Sequence, residues 1–236
     1  VDVGRDSTYH FIETVVSELA AMYQQANVAL VSIHLGGDEV PDGVWENSPA
    51  CERVATDANS KISRRGQLEL HFLNRASQLL VDRSIQPACW EDCLLLETKQ
   101  DHKAGETRRA AGKPTPTAYV WNSVWGWGQE DTAYRLANAG FDVVLCNAPI
   151  LYFDLACEKD PQELGYCWAG FVTTSASFQF SPLDMFQGAY PTLMGRPIAK
   201  ESLPDKVRLT NEGAQHILGI QGELWSENLR SCEALE

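Results

Sequence analysis

Short apolar or β-branched runs recur along this chain, and just past the end of each stands a cluster of tryptophan, acidic or amide side chains. Val28-Ala-Leu-Val-Ser-Ile-His34-Leu ends in Gly36-Gly37-Asp38-Glu39. Gln86-Pro-Ala-Cys-Trp90 leads into Glu91-Asp92, and the stretch from Thr115 to Val124 holds Trp121-Asn122 and leads to Trp125 and Trp127. Phe141-Asp-Val-Val-Leu-Cys146 leads into Asn147, Tyr152 and Asp154, and the run from His216 to Leu224 ends in Trp225-Ser226-Glu227. Between the runs lie helical patterns. Phe11, Ile12, Val15, Val16, Leu19, Met22 and Tyr23 share one helical face, with Asp6, Ser7 or Thr8 expected to cap it. A second helix is predicted over 63–82 and a third over 130–138, the latter stopped by Gly140. Five strands separated by crossovers predict a parallel α/β sheet, with the first, from Val28 to Leu35, read as buried. In a parallel barrel the C-terminal ends of all strands lie on one face, where active sites sit. The polar stretch 99–113 reads as an exposed loop or short helix, and 152–208 as a long irregular segment.

The chain's 236 residues suit one large domain or two small ones. With 44% hydrophobic and 22% charged residues it is of ordinary globular composition, which argues against a disordered chain, a collagen or a coiled coil. No run reaches the roughly 18 apolar residues of a membrane span. Nineteen basic against 32 acidic residues give a formal charge of −13, which argues against a nucleic-acid backbone or an anionic lipid surface as partner. The N-terminus lacks both the basic start and the apolar stretch of a signal peptide, and it carries no initiator Met, so the chain reads as processed or excised from something longer. Seven cysteines cannot all pair within one chain, and without a CxxC spacing they argue against a zinc site. Most are expected to be small buried apolar residues.

Asp38 and Glu39 are neighbours, and neighbours on a strand point to opposite faces. They suit two separate tasks in one substrate if the strand end bends, and Gly36-Gly37 permits the bend. Proton donation to a leaving oxygen needs a carboxylic acid, whereas stabilising a developing positive charge needs a carboxylate that stays ionised. The plain alternative is a solvated acidic turn before Pro41. The tryptophans shift the balance, because seven exceed what a core of this size requires. Aromatic faces pack on the C–H surface of a sugar, and carboxylates accept bonds from its hydroxyls. Trp90, Trp121 and Trp225 at strand ends favour that use; Trp45 and Trp127 are as readily core. Tyr152 and Asp154 stand two apart and share a face in extended chain, as do Trp225 and Glu227.

Three motifs in this order, His34-Leu-Gly-Gly-Asp38-Glu39-Val40, Tyr152-Phe-Asp154 and Leu224-Trp225-Ser226-Glu227, resemble the catalytic domain of glycoside hydrolase family 20, the β-N-acetylhexosaminidases. Trp45, Tyr166-Cys-Trp168 and Phe178-Gln-Phe180-Ser-Pro182 are most similar to its bacterial chitobiase branch, and the resemblance runs from about Ser7 to Arg230. It implies that Glu39 is the general acid/base, that Asp38 orients and charge-stabilises the substrate's 2-acetamido group, and that Tyr152 bonds the acetamido oxygen. The substrate's own carbonyl oxygen is then the nucleophile, the substrate-assisted exception to the two-carboxylate scheme. Trp90, Trp121 and Trp225 match aromatic walls, Asp154 and Glu227 acceptors for sugar hydroxyls, and Trp168 an aromatic on the aglycone side; His34 is expected to support or pack rather than react. No metal or organic cofactor is implied; the partners implied are β-N-acetylhexosaminide oligosaccharides, gluco or galacto, and the implied location is periplasmic or secreted.

The family's (β/α)8 barrel has eight strands, and this sequence supplies roughly strands 4 to 8 with long βα loops. The expectation is therefore one partial TIM-barrel domain over 1–236, its first three strands and closing helix missing, and the isolated chain inactive or very weak. Such a fragment exposes sheet edges open to self-association. The competing class is a carbohydrate-binding or structural module without turnover, which does not need the Asp38-Glu39-Tyr152 set.

Overall fold

The periodic run near the N-terminus forms α1 (Asp6–Gln25), but its start differs from the expectation. Arg5 occupies the N-cap and no side chain caps the helix. Asp2 organises the turn instead: its carboxylate accepts from the Gly4 N–H at 3.1 Å, and its carbonyl accepts from Thr8 Oγ1 at 2.7 Å. The structure is a computed structural model that describes residues 1–56, 62–95, 114–186, 192–194, 198 and 203–227. The stretch 99–113 and Cys232 lie outside the described residues. By its internal packing the chain divides into two units, Val1–Ala118 and Tyr119–Glu236.

In the first unit, β1 (Ser32–His34), α2 (Pro49–Val54), α3 (Arg64–Val81) and β2 (Gln86–Trp90) follow α1, and a 3₁₀ turn (Glu91–Leu94) closes the strand. Helix α3 matches its predicted span: Ser63 Oγ accepts from the Gly66 N–H at 3.0 Å as an N-cap, and Asp82 is the C-cap. β1 and β2 are parallel, with Ser32, Ile33 and His34 opposite Gln86, Pro87 and Ala88. Val16, Leu80 and Ile85 form a core against which Ile12, Leu30, Ile33 and Leu35 pack. Alternation along the strand therefore sends Ile33 and Leu35 toward the helices and His34 to the opposite face. The expected burial of β1 does not hold. Ser32 and His34 are exposed and Ile33 only half-buried, and Val31 before the strand is 71% exposed. Phe11 and Met22 on α1 are exposed as well.

In the second unit, β3 (Thr117–Val120), whose first residues belong to the preceding unit, leads to α4 (Thr132–Asn138), β4 (Val143–Leu145), α5 (Ala148–Leu151), α6 (Thr174–Gln179), α7 (Asn211–Ala214) and β5 (Ile217–Ile220). Gly140, at φ +84°, stops α4 as predicted. β4 and β5 are parallel, with a register shift between Val143 and Val144, and the Cys146 N–H donates to the Val120 carbonyl at 2.8 Å. Tyr134, Met185, Phe186 and Leu203 form a core; the Tyr134 hydroxyl donates to the Pro182 carbonyl and accepts from the Met185 N–H. These bonds fix the stretch from Pro182 to Met185 of the long irregular segment onto α4. Leu218 and Ile220 on β5 are exposed. Four of the six described cysteines are buried, and Cys157 and Cys167 are exposed. Among the described residues no helix is long and apolar enough to cross a membrane.

Candidate active site

Of the residues singled out by sequence, Asp38, Glu39 and Trp90 belong to the first unit; Trp121, Tyr152, Asp154, Trp168, Trp225 and Glu227 belong to the second.

The chain leaves β1 through Gly36 (φ +72°) and Gly37 (φ +98°), the bend the paired glycines were expected to supply. The turn is tied to β2: the Leu35 N–H donates to the Ala88 carbonyl at 2.7 Å, and the Trp90 N–H to the Gly36 carbonyl at 3.1 Å. Gly37 rests on the Cys93 sulfur, which would lie 2.0 Å from a Cβ at that position. Asp38 and Glu39 are exposed, and Glu39 sits at φ +48°, a left-handed conformation that costs a non-glycine residue on the order of 1 kcal/mol or more. His34 Nδ1 accepts from the Gly36 N–H at 3.1 Å, and its ring meets Trp90 edge-on at 4.8 Å. Partial burial lowers the His34 pKa from the ordinary histidine value, while the charge of Asp38 opposes the shift. The neutral ring is the form that keeps Nδ1 as an acceptor, so His34 supports the turn, as expected, without being core. Trp90 is buried.

The second unit gathers its predicted residues around Trp168. The Trp168 ring lies 5.8 Å from Trp121 and 5.8 Å from Tyr152, both edge-on, and Tyr152 in turn meets Trp225 at 6.1 Å. Tyr152 follows α5 directly and bridges to Glu223 beyond β5; the Phe153 N–H donates to the Glu223 carbonyl at 2.7 Å. The extended stretch 152–154 therefore runs parallel to 223–225, which sets Asp154 beside Trp225. Tyr152 and Trp121 are buried, whereas Trp168 and Trp225 are half-exposed, 38% and 39%. Asp154 accepts from the Trp225 N–H, yet its Oδ1 is buried with no hydrogen-bond partner. Burial raises the Asp154 pKa above the ordinary aspartate value; the Trp225 N–H opposes this, and the like charges of Glu227 and Glu223 add to it.

Sequence reading left Trp127 undecided, and the structure stacks it on Trp168 with ring centroids 6.0 Å apart and planes 29° apart. Glu130 holds it there. The carboxylate, only 2% exposed, accepts from the N–H groups of Gly126 at 2.6 Å and Gly128 at 3.3 Å, and Lys206 pairs with it at 2.6 Å. Burial alone would raise the Glu130 pKa, but the Lys206 bond and the backbone donors outweigh it and hold the group below the ordinary glutamate value. The available signal was Trp125-Gly126-Trp127-Gly128, two indoles on a glycine-jointed turn.

Chemically, the second unit offers indole and phenol faces around a desolvated carboxylate oxygen, a surface for a molecule with apolar C–H faces and hydroxyl donors. The first offers two exposed carboxylates on a strained turn. Among the described residues no group of three or more His, Cys, Asp or Glu side chains suits a metal.

Comparison with known proteins agrees across the whole chain. The family model of the glycosyl hydrolase family 20 catalytic domain matches residues 1–236. A β-hexosaminidase of Vibrio vulnificus is 31% identical over 98% of this chain, and an N,N'-diacetylchitobiase of Vibrio harveyi is 28% identical over 98%. The matched regions amount to 26% and 28% of those proteins, so the chain spans little more than a quarter of their length. Among solved structures, the family 20 exo-β-N-acetylglucosaminidase of Vibrio harveyi in complex with N-acetylglucosamine aligns with a TM-score of 0.66 and 26% identity, covering 100% of this chain and 29% of that one. A Streptomyces coelicolor β-N-acetylhexosaminidase shares the fold at a TM-score of 0.59 and 21% identity, over 100% of this chain and 35% of that one.

Proposed function

This chain belongs to glycosyl hydrolase family 20, and from that premise we propose that it is part of the catalytic (β/α)8 barrel of an exo-β-N-acetylhexosaminidase, contributing roughly strands 4 to 8. The substrate class is terminal β-linked N-acetylglucosamine or N-acetylgalactosamine on oligosaccharides. The observation that carries the reading is the second unit's aromatic cluster with the buried, unpartnered Oδ1 of Asp154. A buried acceptor left unpaired costs on the order of 1–3 kcal/mol, and a sugar hydroxyl donating to Asp154 as the chain admits the substrate would offset it.

The chemistry follows from the family roles. Glu39 protonates the glycosidic oxygen and later takes a proton from water. The Asp38 carboxylate steadies the positive charge that grows on the acetamido group as its carbonyl oxygen attacks the anomeric carbon. The Tyr152 hydroxyl donates to that oxygen. Trp90, Trp121 and Trp225 wall the acetamido group and the sugar, Asp154 and Glu227 accept from its hydroxyls, and Trp168 faces the leaving group. Water opens the cyclic intermediate, so the anomeric configuration is retained. Export from the cytoplasm belongs to the same reading, and the residues encoded ahead of Val1 test it.

The experiment is turnover of a chromogenic N-acetylglucosaminide by the full gene product and by this chain alone. The gene product is expected to release the chromophore and the chain alone to be inactive or very weak. A gene product that binds the sugar without releasing the chromophore would make this a binding module and remove the enzyme reading. Competition between gluco and galacto substrates sets the preference. The exposed Leu218 and Ile220 of β5 support self-association of the isolated chain, which sedimentation at increasing concentration checks.

A further inference from the structure

Two cysteines that the proposed function does not use lie directly under the Gly36-Gly37-Asp38-Glu39 turn. Cys89 is on β2 and Cys93 is in the 3₁₀ turn that follows; both are buried, at 0% and 6% exposure. Their thiols are side-chain hydrogen-bond partners, and neither is in a disulfide. Cys93 Sγ also donates to the Gly37 carbonyl at 3.3 Å. On its other side Cys93 lines a cavity of about 300 Å³ together with Gly37, Asp38, Glu39, Val44 and Trp45. Asp38, Glu39 and Val44 are exposed, so the cavity opens to solvent with Cys93 in its lining, whereas Cys89 does not line it and is fully buried.

We propose that Cys89 and Cys93 are a dithiol modification site that a small-molecule disulfide closes into a reversible Cys89–Cys93 disulfide beneath the Asp38-Glu39 turn. The geometry assigns the order of events. Cys93 gives up its proton and its sulfur attacks one sulfur of the small disulfide; that S–S bond breaks, the first small thiolate leaves and takes a proton, and a mixed disulfide forms on Cys93. Cys89 then loses its proton and attacks the Cys93 sulfur, expelling the second small thiol. The protein gives up two electrons and two protons, and the oxidant becomes two thiols. Contact with Cys93, then burial and the acidic side chains of Glu91 and Asp92, raise the Cys89 pKa, which fits a resolving thiol rather than the first attacker. Closure brings the sulfurs to about 2.05 Å. It removes the hydrogen that Cys93 donates to Gly37, so the change is felt two residues from Glu39.

The test uses the full gene product, incubated with oxidised glutathione or with dithiothreitol, then denatured and blocked with N-ethylmaleimide at low pH before tryptic digestion. Cleavage after Arg83 and Lys99 gives a peptide, 84–99, whose only cysteines are Cys89 and Cys93. Oxidation is expected to leave that peptide without maleimide and two hydrogens lighter, and dithiothreitol to restore two blockable thiols. Cys89→Ser is expected to stop at a glutathione adduct on Cys93, and Cys93→Ser to leave Cys89 reduced. Any of three wild-type results overturns the proposal, and none depends on a variant folding: two maleimides on the peptide after oxidation, a lasting glutathione adduct, or a link to a cysteine elsewhere in the chain.

Discussion

The turn after β1 and the aromatic cluster around Trp168 solve opposite problems. The turn presents carboxylates to solvent and is held by its backbone: positive φ at Gly36, Gly37 and Glu39, two bonds to β2, and a sulfur filling the place where Gly37 lacks a side chain. The cluster is held by side chains, with four edge or stacked contacts among five rings and a buried Glu130–Lys206 pair anchoring the loop that carries Trp127. On the proposed function, groups that exchange protons need access and close backbone placement, while walls that recognise a sugar need rigid area. A substitution should therefore act through chemistry or backbone strain in the first region and through packing in the second.

The largest effect expected is on the first region. Glu39→Gln in the full gene product removes the proposed proton donor while keeping size and hydrogen-bonding shape. Hydrolysis of substrates with poor leaving groups should fall by on the order of 10²–10⁴, with a smaller fall for good leaving groups that need no protonation. Equal rates for mutant and wild type on a poor leaving group would remove Glu39 from this role.

Next comes backbone strain. Gly37→Ala must adopt φ +98° and displace Cys93 Sγ from 2.0 Å, so it should lower the unfolding free energy by about 2 kcal/mol or more. Gly36→Ala, at φ +72° with its nearest neighbouring atom 4.0 Å away, should cost only about 1 kcal/mol. Denaturant midpoints of the two variants make the comparison, and equal losses would show that the contact with Cys93 does not hold the turn.

Much of this contrast was legible in the sequence, and what was not has physical causes. Helix α3 could be read to within a residue because its periodicity and its Ser63 cap are local. The Gly-Gly-Asp-Glu turn was legible for the same reason. Burial of β1 was misread, because an apolar run states what a strand can bury and not what covers it: the helices reach Leu30, Ile33 and Leu35 but leave Val31 exposed. Trp127 stayed undecided because its placement depends on Glu130, whose cation is Lys206, 76 residues further along the chain. No local pattern carries that information.

In the second region, Trp168→Ala deletes the ring that meets Trp121, Trp127 and Tyr152. If its ring also packs on the sugar, a contact of that kind is worth about 0.5–1.5 kcal/mol, so KM for oligosaccharides should rise by roughly tenfold at most, with kcat less affected than in the Glu39 variant. A kcat loss as large as that of Glu39→Gln, with KM unchanged, would contradict the division between reacting and recognising regions.

The smallest effect is a pH dependence confined to the cluster. Burial, reinforced by Glu227 and Glu223, raises the Asp154 pKa in the folded chain above its ordinary value of 3.8. Over the interval from that value up to the raised one, the folded state holds a proton that the unfolded state has released. Stability linked to Asp154 is therefore present at the acid end of the interval and is lost as pH rises through it. Asp154→Asn keeps the bond from the Trp225 N–H through its amide oxygen but cannot ionise. The difference in thermal midpoint between the Asp154→Asn variant and the wild-type chain should thus move in favour of the variant as pH rises from about 4 toward neutrality, and then level off. A difference that stays constant across that range would mean that Asp154 ionises in the folded chain as it does in water. Its unpartnered Oδ1 would then be ordinary solvated surface, and the acceptor that distinguishes this cluster from a packed aromatic core would be lost.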